Sequence, residues 1–291
     1  MSPFSSIVST LDRIEIVDDG DPIQTSLAIS GLLKTAGFTL PDEELHGGAL
    51  NIVGPTEAPN LRVISDAKAD YDFALTDGAM FSFPNLRELR NCELYFNRIV
   101  VGGDLLIDHS TLGLLEGVSA GSLALTNGTY LSHKAATTTS VYRLELEAGD
   151  VSIDASSRID VTGKGYLAEH TRGNVGHYGF HGGSYGGLGS SAGDGNPLPV
   201  YGSLYDPNDL GSGVVTYWNN AGAGGGLIKL RAQNLQVDGS LLADGVDGGS
   251  GGGINLTTNT LTGTGSVRAN GAIGLANGGG GRIAITYKGW A

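Results

Sequence analysis

Three features of the 291-residue sequence place it in the all-β class, as a right-handed single-stranded parallel β-helix (β-solenoid) with a short N-terminal capping region. Glycine is abundant, at 49 residues, yet regularly spaced Val, Ile and Leu run through nearly the whole chain, which a disordered glycine-rich polymer lacks. A stretch near the C-terminus repeats at an offset of 26 residues, from Leu235 to Leu261. Short segments alternate apolar and polar side chains, the period-two signature of strands with one buried face.

The repeat is the strongest of the three. Leu235-Gln-Val-Asp-Gly-Ser-Leu-Leu-Ala-Asp-Gly245 returns as Leu261-Thr-Gly-Thr-Gly-Ser-Val-Arg-Ala-Asn-Gly271. Ahead of each copy stands a matching strand, Gly226-Leu-Ile-Lys-Leu230 and then Gly253-Ile-Asn-Leu256, and Gly281-Arg-Ile-Ala-Ile285 opens a third copy. An earlier version reads Leu144-Glu-Leu-Glu, Val151-Ser-Ile-Asp and Arg158-Ile-Asp-Val-Thr-Gly163. Segments this short cannot bury a sheet face alone, so successive copies must stack, one coil per roughly 20–27 residues. Glycines at the corners supply positive φ and let neighbouring coils approach.

Residues 61–149 continue the pattern with less glycine, from Leu61-Arg-Val-Ile through Arg98-Ile-Val-Val, Asp104-Leu-Leu-Ile and Ser122-Leu-Ala-Leu to Tyr142-Arg-Leu-Glu-Leu. Asn85, Asn91 and Asn97 fall at breaks, where turns need a left-handed backbone. Their six-residue spacing also fits a left-handed hexapeptide helix, but it lasts only three turns and small residues do not recur with it. Residues 1–50 are expected to form a cap. Within it, Thr25 to Gly37 offers an N-cap, apolar Leu27, Ala28, Leu32, Leu33 and Ala36, and a glycine stop, a pattern for a short helix covering the first coil. Residues 51–291 form the β-helix, interrupted by a long aromatic and glycine-rich loop at about 166–223. The open ends of such a stack expose unpaired backbone, so neighbouring domains or like subunits are the partners expected there.

Composition excludes several functions. With 17 Lys+Arg against 30 Asp+Glu the formal net charge is −13, which repels a phosphate backbone, and no nucleic acid is expected. No apolar run approaches the ~18 residues of a spanning helix, so no membrane insertion is expected. Cys92 stands alone and reads as a small buried hydrophobe. Met1 to Leu11 lacks the basic and apolar regions of a secretory signal, which leaves export by another route, a mature fragment or a virion component.

Gly179-Phe-His-Gly-Gly-Ser-Tyr-Gly-Gly-Leu-Gly189, Gly222-Ala-Gly-Gly-Gly-Leu-Ile-Lys-Leu230 and Gly278-Gly-Gly-Gly-Arg-Ile-Ala-Ile285 carry a resemblance over roughly residues 140–291. The chain resembles glycine-rich parallel β-helix segments of bacterial surface and secreted proteins, and more distantly the pectate-lyase-like group. The resemblance implies the fold and an extracellular or cell-surface location. It does not choose among adhesins, phage tailspikes and polysaccharide-acting enzymes.

Chemistry is expected in the long loop, because long excursions from a rigid scaffold are functional or disordered, and this one gathers aromatics. Tyr178, Tyr185, Tyr201, Tyr205, Tyr217 and Trp218 are the candidate ligand-binding residues, since an aromatic ring pairs apolar area with a polar edge and suits a sugar face. The competing expectation is that the rings fill the flank of the helix. Glu169, His170, Arg172 and His177 form the densest set of acid, base and cation, as a lyase or hydrolase would need. Asp154 with Asp160, and Asp238 with Asp244, are carboxylate pairs that turns would equally produce. Gly182-Gly-Ser-Tyr-Gly186 matches a nucleophile elbow in letters only, because glycine flanks it where a strand and a helix are required.

No cofactor is expected. Calcium is the ion considered: Asp244-Gly-Val-Asp-Gly-Gly-Ser-Gly-Gly-Gly253 is similar to calcium-binding glycine-rich repeats, with Asp244 and Asp247 as ligands, although it occurs once and such repeats come in tandem. Asp194, Asp206 and Asp209 form a second oxygen-rich set. His177 and His181 are four apart but sit among glycines rather than on a helix that would align them for zinc. The leading expectation is a non-catalytic extracellular stalk or adhesive module of a larger surface protein, gripping a polysaccharide or cell-surface glycan through the loop. Alternatives are a polysaccharide lyase or glycoside hydrolase, and a phage tailspike or fibre component.

Overall fold

The computed structural model describes residues 98–177, 179–191, 196–215 and 222–288 in full, with Leu89, the backbone of the strands before residue 98 and that of the last strand as far as Trp290. Eighteen strands form one large parallel sheet that curls almost into a barrel. Among the described residues the antiparallel contacts lie in the insertion, as a small hairpin pairing His170–Thr171 with Val175–Gly176 and as isolated bridges at His181. The helical content of the described residues is a single three-residue 3-10 turn, Arg172–Asn174, and none of their helices is long and apolar enough to cross a membrane.

Alternation in the sequence becomes columns of inward side chains. Leu105 pairs in register with Leu123, Leu123 with Val151, Val151 with Leu235 and Leu235 with Leu261. A second column runs Leu146, Leu230, Leu256 and Ile285, and a third Ile159, Leu241 and Val267. The offset read from the sequence is the register itself: Ile228 lies beside Ile254 and Leu235 beside Leu261. Apart from Ile285, which is exposed, these columns belong to one continuous core, in which Leu144, Ile228, Leu230, Ile254 and Leu256 are 0% exposed. Each such side chain contributes roughly 1.5–3 kcal/mol by leaving water.

Corner carboxylates tie one coil to the next. Asp154 Oδ1 accepts hydrogen bonds from the Ser156 and Ser157 amides, and its Oδ2 accepts one from the Asn127 amide of the preceding coil. Although burial opposes ionisation, these bonds outweigh it and hold the Asp154 carboxyl below its ordinary range. Asp238 accepts from the Thr264 amide and Asp244 from the Asn270 amide, each on the following coil.

The expected capping helix is replaced by strands. Thr25–Ser30 pairs in parallel with Gly48–Val53, and Leu33–Thr35 pairs with Thr56–Glu57. Leu27 and Ile29 alternate with Ser26, Ala28 and Ser30, and this period-two pattern overrides the N-cap and glycine signals around it. Thr10–Leu11 pairs with Leu33–Thr35 and Ile14–Glu15 with Phe38–Thr39, also in parallel, while the rest of residues 1–47, and Cys92, lie outside the described residues.

Candidate functional site

The long insertion leaves the stack after Arg158–Asp160 and returns at Leu227–Val237 without disturbing the sheet. Leu144–Ile153 pairs with the returning strand in continuous register from Leu144–Ile228 to Ala148–Ala232, and Ile159 still meets Leu241. What lies between is held by backbone. Gly224 donates to the Tyr166 carbonyl, Gly225 to Ser250 and Gly226 to Val161, so three successive amides point at three different segments. One coil later Gly251 donates to Gly279, Gly252 to Ala243 and Gly253 to Gly226. Gly213, Val214 and Val215 likewise donate to His170, Gly222 and His181. Three successive amides aimed at three different segments find their partners outside their own stretch, as buried backbone without a ladder must.

Glycine is required because the segments touch through their main chains. A Cβ on Gly224 would lie 2.0 Å from the Gly211 oxygen, and one on Gly225 2.0 Å from the Ala243 oxygen. The insertion and the glycine-rich corners of the last coils therefore form one bundle.

Most of the described candidate aromatics are spent on packing. Tyr166 and Tyr185 are buried and Tyr201 is partly so; with Leu210 and Leu227, Tyr166 and Tyr201 make a second small core. The Tyr185 and Tyr201 rings are 4.9 Å apart, the Arg282 guanidinium lies 5.5 Å from the Tyr185 ring, and Arg282 Nε donates to the Tyr201 carbonyl at 2.9 Å. The Tyr201 hydroxyl donates to the Leu210 carbonyl at 2.6 Å and lies 3.0 Å from Ser212 Oγ. Burial pushes the phenols of Tyr166, Tyr185 and Tyr201 up, so all three stay neutral. Tyr178, Tyr217 and Trp218 lie outside the described residues.

Tyr205 is the exception, at 85% exposed. The turn that presents it is fixed at both ends. Ser203 Oγ accepts from the Tyr205 and Asp206 amides, the Asp206 carboxylate accepts from Asn255 Nδ2 at 2.7 Å, and Lys229 Nζ donates to Asn208 Oδ1 at 3.1 Å. Lys229 and Asn255 stand side by side in register on the outer face of the sheet. A protruding ring thus sits beside a carboxylate, two amides and an ammonium. Exposed Leu204 beside it was not anticipated from the sequence; the signal available was an apolar pair bracketed by Ser203 and Pro207.

The side chains of Arg172, His170 and His177 are engaged with separate partners, and no bond joins the four acid and base candidates through their side chains. Arg172 Nε lies 3.4 Å from Asp209 Oδ1, and His170 Nδ1 is bonded to the Ala168 carbonyl. The His177 ring packs edge-on against His181 at 5.1 Å, where burial and the second imidazole lower its pKa. Glu169 is exposed, with φ +62°, and it is its carbonyl, not its carboxylate, that receives the His177 amide. Among the rung carboxylates, Asp160 lies 3.8 Å from Arg158 Nε, and Asp154, Asp238 and Asp244 serve the corners.

The ion candidates are similarly placed. The Asp244 carboxylate is bound by Arg268 Nε at 2.6 Å as well as by the Asn270 amide, while Asp247 occupies a turn at φ +44°. Asp194 lies outside the described residues, among which no group of three or more His, Cys, Asp or Glu is placed to hold a metal. Ser184, at the centre of the elbow-like pattern, is fully buried and accepts the Gly189 amide. No protein-family model, curated protein or solved structure matches this chain.

Proposed function

We propose that this protein is a non-catalytic extracellular β-solenoid, a stalk or adhesive module of a cell surface, that grips a polysaccharide through the turn at residues 200–208. The finer fold in this reading is a right-handed single-stranded β-helix. Its support is the coil-upon-coil parallel pairing, together with the strong right-handed preference of parallel crossovers.

The observation that carries the binding reading is Tyr205. An aromatic ring 85% exposed on a turn pinned by three side-chain anchors loses little freedom on binding, and Asn208, Asn255, Asp206 and Lys229 beside it offer donors and acceptors for sugar hydroxyls. Binding without turnover is favoured because Arg172, His170 and His177 are each committed to a different neighbour. The test is retention on a glycan array of the wild type against Tyr205→Ala. Loss of signal on a defined glycan set with unchanged melting supports the reading, whereas identical binding by both proteins, or none by either, ends it.

A further inference from the structure

Among the described residues two histidines are buried to 1% exposure, His133 and His181. His133 uses both ring nitrogens, Nδ1 on the Lys134 carbonyl and Nε2 on the Leu227 amide. His181 uses one. Its Nδ1 lies 3.0 Å from the Gly182 carbonyl, which can only accept, so Nδ1 carries the proton and Nε2 presents a bare lone pair. That lone pair is buried and has no hydrogen-bond partner. A buried acceptor left idle costs free energy, so one that is kept calls for a reason.

A second imidazole stands where such a reason would need it. The His177 and His181 ring centroids are 5.1 Å apart, with their planes at 76°. Two imidazoles bound to one ion at a tetrahedral angle, with metal–nitrogen bonds of about 2.0–2.1 Å, have centroids roughly 5 Å apart. A Cβ on Gly179 would lie 3.0 Å from His181 Cδ2 and 3.3 Å from Nε2, so the idle edge of the ring faces the short loop that joins the two histidines, at a residue with no side chain to fill the space. Both ends of that loop are fixed. The His177 amide donates to the Glu169 carbonyl at 2.7 Å, and His181 exchanges backbone hydrogen bonds with Val215 at 3.1 and 2.9 Å. The glycines around the pair argue against zinc in the sequence because no helix aligns the rings; the hairpin at His170–Gly176 and the bridge to Val215 align them instead.

We propose that His177 and His181 hold a divalent ion of the zinc class, bound by His181 Nε2 and one ring nitrogen of His177. Neutral imidazole suits such ions, and a backbone carbonyl on the far nitrogen, as Gly182 provides, is the usual support of a metal-bound histidine. Among the described residues no third His, Cys, Asp or Glu completes the set, so the remaining positions fall to water or to an oxygen of a bound molecule. The ion joins the hairpin to the glycine bundle and acts as a clip on the insertion. This site goes beyond the glycan reading and does not depend on it.

Titration of the chelator-treated full chain with Co2+ alone, and then with Zn2+, tests this. One Co2+ per chain should bind with the strong visible absorption of tetrahedral coordination, and Zn2+ should displace it. His177→Phe keeps a ring against His181 but removes a ligand; its affinity for Zn2+ should fall roughly tenfold or more, the loss that even a supporting neighbour of a ligand can cause. His109→Phe, which changes an exposed histidine outside the insertion, should bind as wild type does. Zn2+ should raise the melting temperature of wild type and leave that of His177→Phe where it was, because an ion held only by the folded state stabilises it. If His177→Phe proves misfolded, proton NMR of wild type replaces it: Zn2+ should shift the ring protons of two histidines and leave the others in place. No saturable binding, equal affinity in His177→Phe, or shifts confined to His109 would each overturn the proposal and leave the cavity beside Nε2 to water. None of these readouts involves glycan, so the tests at Tyr205 and at His177 fail or succeed separately.

Discussion

Leu230 and Gly225 are five residues apart, yet they belong to two different kinds of interior. Around Leu230 the coils are spaced by strand pairing, and the interior is filled by side chains stacked in columns. Around Gly225 the interior is main chain: amides fan out to three neighbours at a time, and the space a side chain would fill is occupied by the Ala243 carbonyl. Both arrangements satisfy backbone polar groups away from water, which is the common constraint. The first buries apolar area and tolerates some change of shape, whereas the second buries little side chain and tolerates no added atom. The molecule thus has a side-chain core that sets its axis and a backbone core that sets its protruding turns.

The largest expected effect breaks the backbone core. In Gly225→Ala the new methyl would sit 2.0 Å from the Ala243 oxygen and 2.5 Å from the Gly252 amide nitrogen, both main-chain atoms that cannot move without parting the segments. A loss of more than about 4 kcal/mol is expected, which places it among the exceptional single substitutions. Urea denaturation monitored by tyrosine fluorescence measures it; a loss below about 1 kcal/mol would mean that the bundle yields and the contrast is wrong.

In the side-chain core, Leu230→Ala should lose roughly 2–5 kcal/mol through lost transfer energy and the cavity left between Leu146 and Leu256. Leu230→Ile at the same place should cost less than about 1.5 kcal/mol, because that interior can repack. The pair of variants sharpens the comparison: shape matters at Leu230, while at Gly225 the presence of any side chain does.

His133 joins the two regions and carries an expected pH dependence. It is 1% exposed; its Nδ1 is bonded to the Lys134 carbonyl and its Nε2 accepts the Leu227 amide at 3.2 Å, where the chain re-enters the sheet. Accepting that amide requires the neutral ring. Burial, with the Lys164 charge adding to it against the Lys134 bond, lowers the pKa from 6.5 to about 4. Between those values the unfolded chain binds more protons than the folded one. Stability is therefore full above pH 6.5 and falls as pH drops toward 4, by on the order of 3 kcal/mol. His133→Leu should lose most of that slope while being less stable at pH 7, because the Leu227 amide loses its acceptor. Denaturation midpoints from pH 4 to 7 for both proteins decide it; parallel slopes would remove His133 from the account.

The side-chain core was legible in the sequence because alternation and the 26-residue offset are consequences of stacking itself, and Leu235 and Leu261 meet as their spacing implies. The backbone core was legible only as an excess of glycine. Which amide meets which carbonyl depends on segments far apart in the chain, such as Gly183 and Gly248, and glycine carries no side-chain pattern to mark the pairing. The same gap explains the mixed outcome for the loop aromatics. Tyr185, Tyr201 and Tyr205 look alike in composition, but only the folded bundle decides that two face inward and the third outward. At Thr25–Gly37 the failure was different: capping residues outweighed the alternation of Leu27 and Ile29, and pairing with Gly48–Val53 decided for strand.

The smallest expected effect is also the sharpest check on what the glycines do. In the run Gly278-Gly-Gly-Gly281, a Cβ on Gly279 would lie 2.1 Å from the Gly187 oxygen and one on Gly281 2.1 Å from the Gly252 oxygen, but one on Gly280 meets nothing within 4 Å. Gly280 contributes through its carbonyl, which accepts the Gly186 and Gly187 amides and is untouched by a methyl group. If glycine were needed here for chain flexibility, all three positions would resist substitution alike. If it is needed only where main chains touch, Gly280→Ala should stay within about 0.5 kcal/mol of wild type, as at an open surface position, while Gly279→Ala and Gly281→Ala unfold the bundle. A gain of up to about 1 kcal/mol at Gly280 would point the same way, because alanine has fewer unfolded conformations to lose. Equal losses at 279, 280 and 281 would sink the backbone-contact account and leave flexibility as the reason for the glycines.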